Sequence, residues 1–324
     1  MFNTTAPISF DDGVIDLSFA ERANWTGAAL LMFTIGDAAL GPVLMAIGSE
    51  PSGREIDVEK ALEYGFVHMH RSDSFRMPVR GDFIVGRTVY APGDFRLQES
   101  GKYYGPEGPG PVSAQGVEPS WTLLAFADRL GYRIQAANDR DLGKITAMEQ
   151  PAIPLYDAVG CVPVHPDDSI GTPAIRTTLA DSLHTGHADG SLAATDDWPV
   201  LGTSDATAAA LGNPEAGPIF LVTRTPPSGT STPAIAWDTE VARFVVSGSA
   251  TCGDASFEPG HVRIVEAGAP QEAVIAGDQG LAEVIVIGDR RFAAPTSCAD
   301  AVWSEQFGAL LDRVVPVIPA VPAA

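Results

Sequence analysis

RMPVRGDFIVGRTVYAPGDFRLQESG, residues 76–101, has a counterpart 167 residues further on (248 − 81 = 167): RFVVSGSATCGDASFEPGHVRIVEAG, residues 243–268. The two align without a gap. Gly81 meets Gly248, Gly86 meets Gly253, Pro92-Gly93 meets Pro259-Gly260, Glu99 meets Glu266 and Gly101 meets Gly268. Glycine and proline carry the register. They fix turns, because glycine accepts positive φ and proline restricts φ. Between them stand short β-branched and aromatic runs such as Phe83-Ile84-Val85, Thr88-Val89-Tyr90 and Val262-Arg263-Ile264-Val265. Runs of this kind bounded by turn signals read as short strands in hairpins. The repeat implies two diverged copies of one β-rich unit.

The likeness continues outward with small shifts. Gly41-Pro42-Val43-Leu44 resembles Gly217-Pro218-Ile219-Phe220, and Pro51-Ser52-Gly53 resembles Pro227-Ser228-Gly229. WTLLAFADRLG from Trp121 resembles AEVIVIGDRRF from Ala282. For a chain of 324 residues two domains is the natural prior, and the expected division is 1–150 and 151–324. Asn138 to Gly217 is rich in small and polar residues. Its early part, Pro151 to Pro173, reads as a linker, and its later part is expected to supply the first strands of the second unit. GPEGPGP, Gly105 to Pro111, reads as a loop or lid; its prolines remove the N–H donors a phosphate cradle needs. From Ala299 to Val315, Trp303, Phe307, Leu310, Leu311 and Val314 fall at helical spacing, so a short C-terminal helix is expected before an extended PVIPAVPAA tail.

Hydrophobic residues make up 45% and charged residues 19%, enough for two buried cores. A net charge of −21 repels phosphate backbones and anionic lipid, and no local basic patch offsets it; nucleic-acid and membrane partners are not expected. Cys161, Cys252 and Cys298 are odd in number and widely spaced, which argues for reduced thiols and against a disulfide framework or zinc knuckle. The N-terminus lacks the basic start and apolar core of a signal peptide, and the apolar run Ala28–Ile35 is too short to span a bilayer. A cytoplasmic location is expected. No GxGxxG, GxxxxGK[ST] or GxSxG motif is present.

In GFVHMHRSDSFRMPVRG, Gly65 to Gly81, His68 and His70 form an HxH pair and Gly81 closes the segment. In APGDFRLQESGKYY, Pro92-Gly93-Asp94 forms a PGD turn followed by Gly101. These residues resemble the two motifs of the cupin superfamily. The resemblance implies an all-β protein of two cupin-like antiparallel β-barrels (double-stranded β-helix, or jelly roll) with a short C-terminal helix. It also implies a metal centre on the HxH strand, but the chain departs from the pattern. Ser74 stands where the family has its glutamate, and Tyr104 where it has its second-motif histidine. In the second copy Ile235 and Trp237 replace the HxH pair, Val241 the glutamate and Gln271 the histidine. The second barrel is therefore expected to hold no metal, with Trp237 filling its lumen.

Alternate residues of a strand share a face, so His68 and His70 point the same way. Neutral imidazoles suit iron, zinc, nickel or copper. Two ligands need oxygen donors beside them, from Tyr104, Asp73, Gln98 or Glu99. Tyr104 leads by alignment, and as phenolate it would favour a ferric ion. The expected cofactor is one divalent or ferric ion, iron first, with zinc, manganese or nickel as alternatives. The plainer reading is a metal-free lumen in which the histidines form hydrogen bonds. Tyr104, Asp73 and Arg76 are the catalytic candidates. Asp73 fits a general base or a turn cap, and Arg76 and Arg80 fit a carboxylate substrate or ordinary ion pairs. Three functions stay open. One is a metal-dependent oxidoreductase or lyase, such as a dioxygenase or decarboxylase, acting on a small carboxylate or aromatic molecule. Another is a metal-free small-molecule binding or sensing protein, and the third is a structural, storage-like role. A small-molecule ligand and a monomer or homodimer are the expected partners.

Overall fold

A computed structural model of the chain describes residues 14–16, 28–36, 41–49, 53–70, 72–118, 120–127, 134–136, 140–141, 170–171, 187–212, 217–259 and 261–313. The first half contributes β1 (Val14–Asp16), β2 (Ala28–Thr34), β3 (Val43–Ser49), helix α1 (Val58–Tyr64), β4 (His68–His70), β5 (Ser74–Arg80), β6 (Phe83–Val85), β7 (Thr88–Tyr90), β8 (Asp94–Gln98), β9 (Glu107–Pro109), β10 (Ser120–Phe126) and β11 (Ile134–Ala136). The second contributes β12 (Ile170–Gly171), β13 (His187–Ser191), β14 (Val200–Leu201), β15 (Ala206–Leu211), β16 (Ile219–Thr225), β17 (Thr230–Thr232), β18 (Ile235–Ala236), β19 (Val241–Cys252), β20 (Ala255–Phe257), β21 (His261–Val265), β22 (Val274–Ile287), β23 (Ser297–Cys298) and helix α2 (Ala301–Leu311). The fold is all-β with a short C-terminal helix. Asp300 caps α2, accepting from Val302 N and Trp303 N at 2.9 and 3.0 Å. The linker at 151–173, apart from 170–171, and the tail after Arg313 lie outside the described residues.

Two large sheets dominate. One runs β13-β8-β5-β10-β3-β2, the other β1-β21-β19-β22-β16-β15-β14, with β17 on β22 and β20 on β19. Small sheets β12-β11-β4, β7-β6-β9 and β18-β23 complete them. Pairing partners recur at the sequence offset of 167. Phe83 faces Pro109 and Ala250 faces Ala276; Arg76 faces Arg96 and Arg243 faces Arg263. Isolated bridges join His68 to Tyr104 and Ile235 to Gln271. Gly81 and Gly248 take positive φ, 67° and 76°, at equivalent corners. A Cβ on Gly248 would lie 2.0 Å from the backbone oxygen of Gly280, so no other residue fits there.

GPEGPGP is not all loop. Its Glu107–Pro109 forms β9, paired with β6 from Phe83↔Pro109 to Val85↔Glu107. Proline tolerates this place because, among the described residues, β9 is an edge strand with β6 as its one strand neighbour.

Each large sheet also takes in a strand from the other half. β1 pairs with β21, Asp16 opposite His261, and β13 pairs with β8, Ser191 opposite Asp94. Among the described residues, the stretch leading into the second half therefore gives β13 to the first half's sheet, not to its own. The reason is an edge: β8, with Phe95 and Leu97 buried, needs a hydrogen-bonding neighbour on its outer side.

Strand alternation divides the apolar residues. Phe75, Met77, Phe95, Leu97, Leu123 and Ala125 of the first half pack into one cluster with Phe220, Val222, Phe244, Val262, Val284 and Val286 of the second. Phe75 and Phe220 stack with centroids 5.1 Å apart, so the two halves pack face to face. Ile219, Leu221, Ile285 and Ile287, on the opposite faces of the same strands, pack beneath α2 with Trp303 and Phe307. Trp237 belongs to this cluster, and its Nε1 donates to Ala293 O at 2.9 Å. Ile235 and Trp237, at the places of His68 and His70, are thus both buried in this apolar cluster.

Candidate functional site

The first half gathers its polar side chains on the faces turned away from the shared core. Phe75 and Met77 of β5 enter that core, so Ser74 and Arg76 point the other way. On β8, Phe95 and Leu97 do the same and turn Arg96 and Gln98 inward. β4 lies antiparallel to the segment around Tyr104. His68 N donates to Tyr104 O at 3.1 Å, and Tyr104 N to His68 O at 2.9 Å. β9 then carries Glu107 to the same place.

His68, His70, Arg76 and Tyr104 are all buried. The His68 and His70 rings meet edge to face with centroids 5.1 Å apart, and Tyr104 lies 4.5 Å from His68 and 6.0 Å from His70. The Arg76 guanidinium sits 4.4 Å over the Tyr104 ring and donates through Nη2 to the Tyr104 hydroxyl. Its Nε is 3.2 Å from Glu107 Oε1, while Glu107 Oε2 is 3.9 Å from His68 Nε2. Burial pushes the His68 pKa down to about 4, with Glu107 opposing, so the ring is neutral at pH 7. Burial also pushes the Tyr104 phenol well above its usual range, with Arg76 opposing. Burial works against the charge on Arg76, but Glu107 and Tyr104 more than offset it and its pKa rises.

The sequence candidates His68, His70, Tyr104 and Arg76 come together. Asp73 braces the turn: its Oδ1 accepts from Ser100 N at 2.9 Å, and its backbone oxygen accepts from Ala127 N at 2.9 Å. Gln98 accepts from Arg96 Nε at 3.1 Å. Arg80 is exposed and lines an apolar groove between the halves with Trp121, Phe244 and His261. Sequence reasoning missed Glu107 and a relay from Arg96. Arg96 Nη1 donates to Tyr90 OH at 2.9 Å, Tyr90 OH donates to Asp189 Oδ1 at 3.0 Å, and Asp189 Oδ2 lies 3.3 Å from His187 Nε2.

The second half carries different chemistry at the equivalent places. Arg243, the counterpart of Arg76, donates through Nε and Nη2 to Glu283 at 3.0 and 2.6 Å, and through Nη1 to Thr232 Oγ1 at 2.7 Å. The Ser231 hydroxyl donates to the same carboxylate. Glu283, the one charge inside Leu281–Ile287, was legible as an oddity in an apolar strand.

The architecture resembles that of a proposed dioxygenase from Nostoc punctiforme PCC 73102, with a TM-score of 0.50 at 11% identity, over 85% of this chain and 81% of that one. The chain has the cupin fold. Oxalate decarboxylase from Bacillus subtilis gives a TM-score of 0.46 at 14% identity, over 87% of this chain and 80% of that one. A bacterial pirin from Escherichia coli, in complex with nickel(II), gives 0.46 at 10%, over 85% and 98%. No family model matches the chain, and no curated protein matches it in sequence.

In this cupin-fold chain the donor set for a metal is half built. His68 and His70 are adjacent and suit a divalent ion. The oxygen donors do not: Arg76 is ion-paired to Glu107, and its guanidinium donates to the Tyr104 hydroxyl. Burial also holds Tyr104 as phenol. Among the described residues, no three His, Cys, Asp or Glu side chains are grouped to hold a metal.

Proposed function

We propose that this cupin binds a small organic molecule in the lumen of its first half, and that the second half supports that half structurally. One contrast carries the reading. In the second half Arg243, the counterpart of Arg76, is engaged through Nε, Nη1 and Nη2 by Glu283 and Thr232, although Arg290 Nη1, further along the chain, is buried without a hydrogen-bond partner among the described residues. In the first half the unpartnered atoms include a charged donor, Arg76 Nη1, together with Ser74 Oγ. An unmet donor on a buried charge is costlier than an unmet hydroxyl, and a site for a polar ligand leaves such groups open. His68 as a neutral ring, Tyr104 as a phenol and Arg76 as a fixed cation can bind and orient a ligand, and the burial around them excludes water.

A second reading has its own support. His68 and His70 would hold a divalent ion, with Glu107, 3.9 Å from His68 Nε2, as third donor once released by Arg76. Such an ion would supply Lewis acidity for a dioxygenase- or decarboxylase-type reaction. In either case we take the working unit as a monomer or homodimer of domains 1–150 and 151–324, in the cytoplasm. The free thiols Cys252 and Cys298 suit a reducing compartment. No helix among the described residues is long and apolar enough to cross a membrane.

Thermal-shift screening of small organic molecules against the native protein and the His68→Ala/His70→Ala variant tests the first reading. Ligands should stabilise the native protein and not the variant; a screen with no such difference sinks it. Elemental analysis of protein purified without chelator separates the second. One metal per chain, lost in the variant, would put the enzyme reading ahead.

A further inference from the structure

We infer that the ligand of the first half is a carboxylate, and that it docks on Arg76 at Nη1, the donor that Thr232 holds in the equivalent Arg243. The inference rests on the pocket reading above and adds the ligand's chemical class. It comes from comparing the two halves residue by residue. Strand pairing fixes the correspondence. Glu283 lies opposite Thr223 and Val245, and in the first half Thr122 lies opposite Ile47 and Pro78, the equivalent positions. Thr122 therefore stands where the second half has its buried carboxylate. Thr232, which holds Arg243 Nη1, lies three residues before Ile235; the residue three before His68 is Gly65, which has no side chain. Both groups that complete Arg243 are thus missing around Arg76.

What Arg76 has instead is less than a replacement. Its Nε meets Glu107, whose side chain is 31% exposed, and its Nη2 meets an uncharged phenol. Its Nη1 is buried with no hydrogen-bond partner among the described residues. Ser74 Oγ, on the same face of β5 two residues away, is buried and unpartnered as well. Arg96 lies directly opposite Arg76 across the β5–β8 pair, and its guanidinium meets only the neutral Gln98 and Tyr90 in its hydrogen bonds. Like charges facing each other across a strand pair disfavour the fold, and a bound anion relieves them. A protein of net charge −21 has carboxylates to spare, yet it gives Arg76 only the partly exposed Glu107 and gives the hydrogen bonds of Arg96 none. A carboxylate supplies charged acceptor oxygens for Arg76 Nη1 and Ser74 Oγ; a neutral amide of the same shape offers one acceptor without the charge.

The test is calorimetric titration of the full chain with acetate, malonate and benzoate, each paired with its neutral amide. At least one acid should bind more tightly than its amide by about tenfold or more, the scale of a charge-assisted hydrogen bond. Thr122→Glu, which supplies the missing internal carboxylate, should weaken that acid by a similar factor while raising the unfolding temperature of the free protein. Arg76→Gln should remove the preference for acid over amide. Two results would overturn the inference: amides binding as well as acids, or Thr122→Glu leaving acid affinity unchanged. If the amides bind and lose affinity in the His68→Ala/His70→Ala variant, the pocket reading stands and only the carboxylate assignment falls. If neither class binds, both fall.

Discussion

Changing Glu283 to glutamine measures what the second half gains by closing its own lumen. Glu283 is 1% exposed and Arg243 4%. Two guanidinium N–H groups reach the two carboxylate oxygens at 3.0 and 2.6 Å, and Ser231 adds a third donor. The amide keeps the volume but loses the charge, and it sets an NH2 against a guanidinium donor. Stranding a buried charge in this way costs about 3–5 kcal/mol. With a urea dependence of about 3 kcal/mol/M, a loss of 4 kcal/mol lowers the midpoint by about 1.3 M. Tryptophan fluorescence and circular dichroism would follow the transition. Glu107→Gln is the internal comparison: Glu107 is partly in water and meets Arg76 at one contact, so its loss should cost about 1–2 kcal/mol. Arg243→Met with Glu283→Leu removes both charges and should end within about 1–2 kcal/mol of the native protein. A Glu283→Gln variant within about 1 kcal/mol of native, or a double variant worse than the single one, would refute the argument.

Three further outcomes follow from the geometry. The folded pKa of His68, about 4, lies below its unfolded value of 6.5, so its contribution is full above pH 6.5 and is lost as pH falls toward 4. About 3 kcal/mol of metal-free stability should vanish across that window, and His68→Phe should flatten the slope in unfolding free energies taken at pH 7 and pH 4.5. Gly248→Ala should destabilise strongly and Gly81→Ala less, because the first Cβ meets the Gly280 backbone while the second meets the Ser113 side chain; thermal unfolding reads the order. Tyr90→Phe should free an Arg96 donor and detach Asp189, at a cost of about 1.5–3 kcal/mol, and should speed limited proteolysis near β13.

Much of this was legible because turns are written in glycine and proline. The register of residues 76–101 on 243–268 anticipates the pairing of Arg76 with Arg96 and of Arg243 with Arg263. The shifted likeness of Trp121 to Ala282 matches their equal places on β10 and β22. Tyr104 was found beside His68 because motif spacing fixes which backbone segments adjoin. Glu107 was not found, since a segment dense in glycine and proline reads as loop whether or not a neighbouring strand adopts it. The exchange of β1 and β13 was invisible for another reason: edge pairing depends on which neighbour arrives, and no local pattern names it. Trp237 illustrates the limit of motif logic. The motif named its position but not its company: it shares an apolar cluster with Trp303 and Phe307 of α2, outside the aligned segments.

The exchanged strands impose an order of events on synthesis. β8 leaves the ribosome with its outer edge bare, and its partner β13 follows about 90 residues later, a delay of roughly 5–20 s at ordinary elongation rates. Through that interval the first lumen lacks Asp189, and Tyr90 and Arg96 stand at an open seam. A nascent chain released at residue 150 would keep that seam for good and would find β13-like company only in another copy of itself. The seam closes only when the second half has begun to appear.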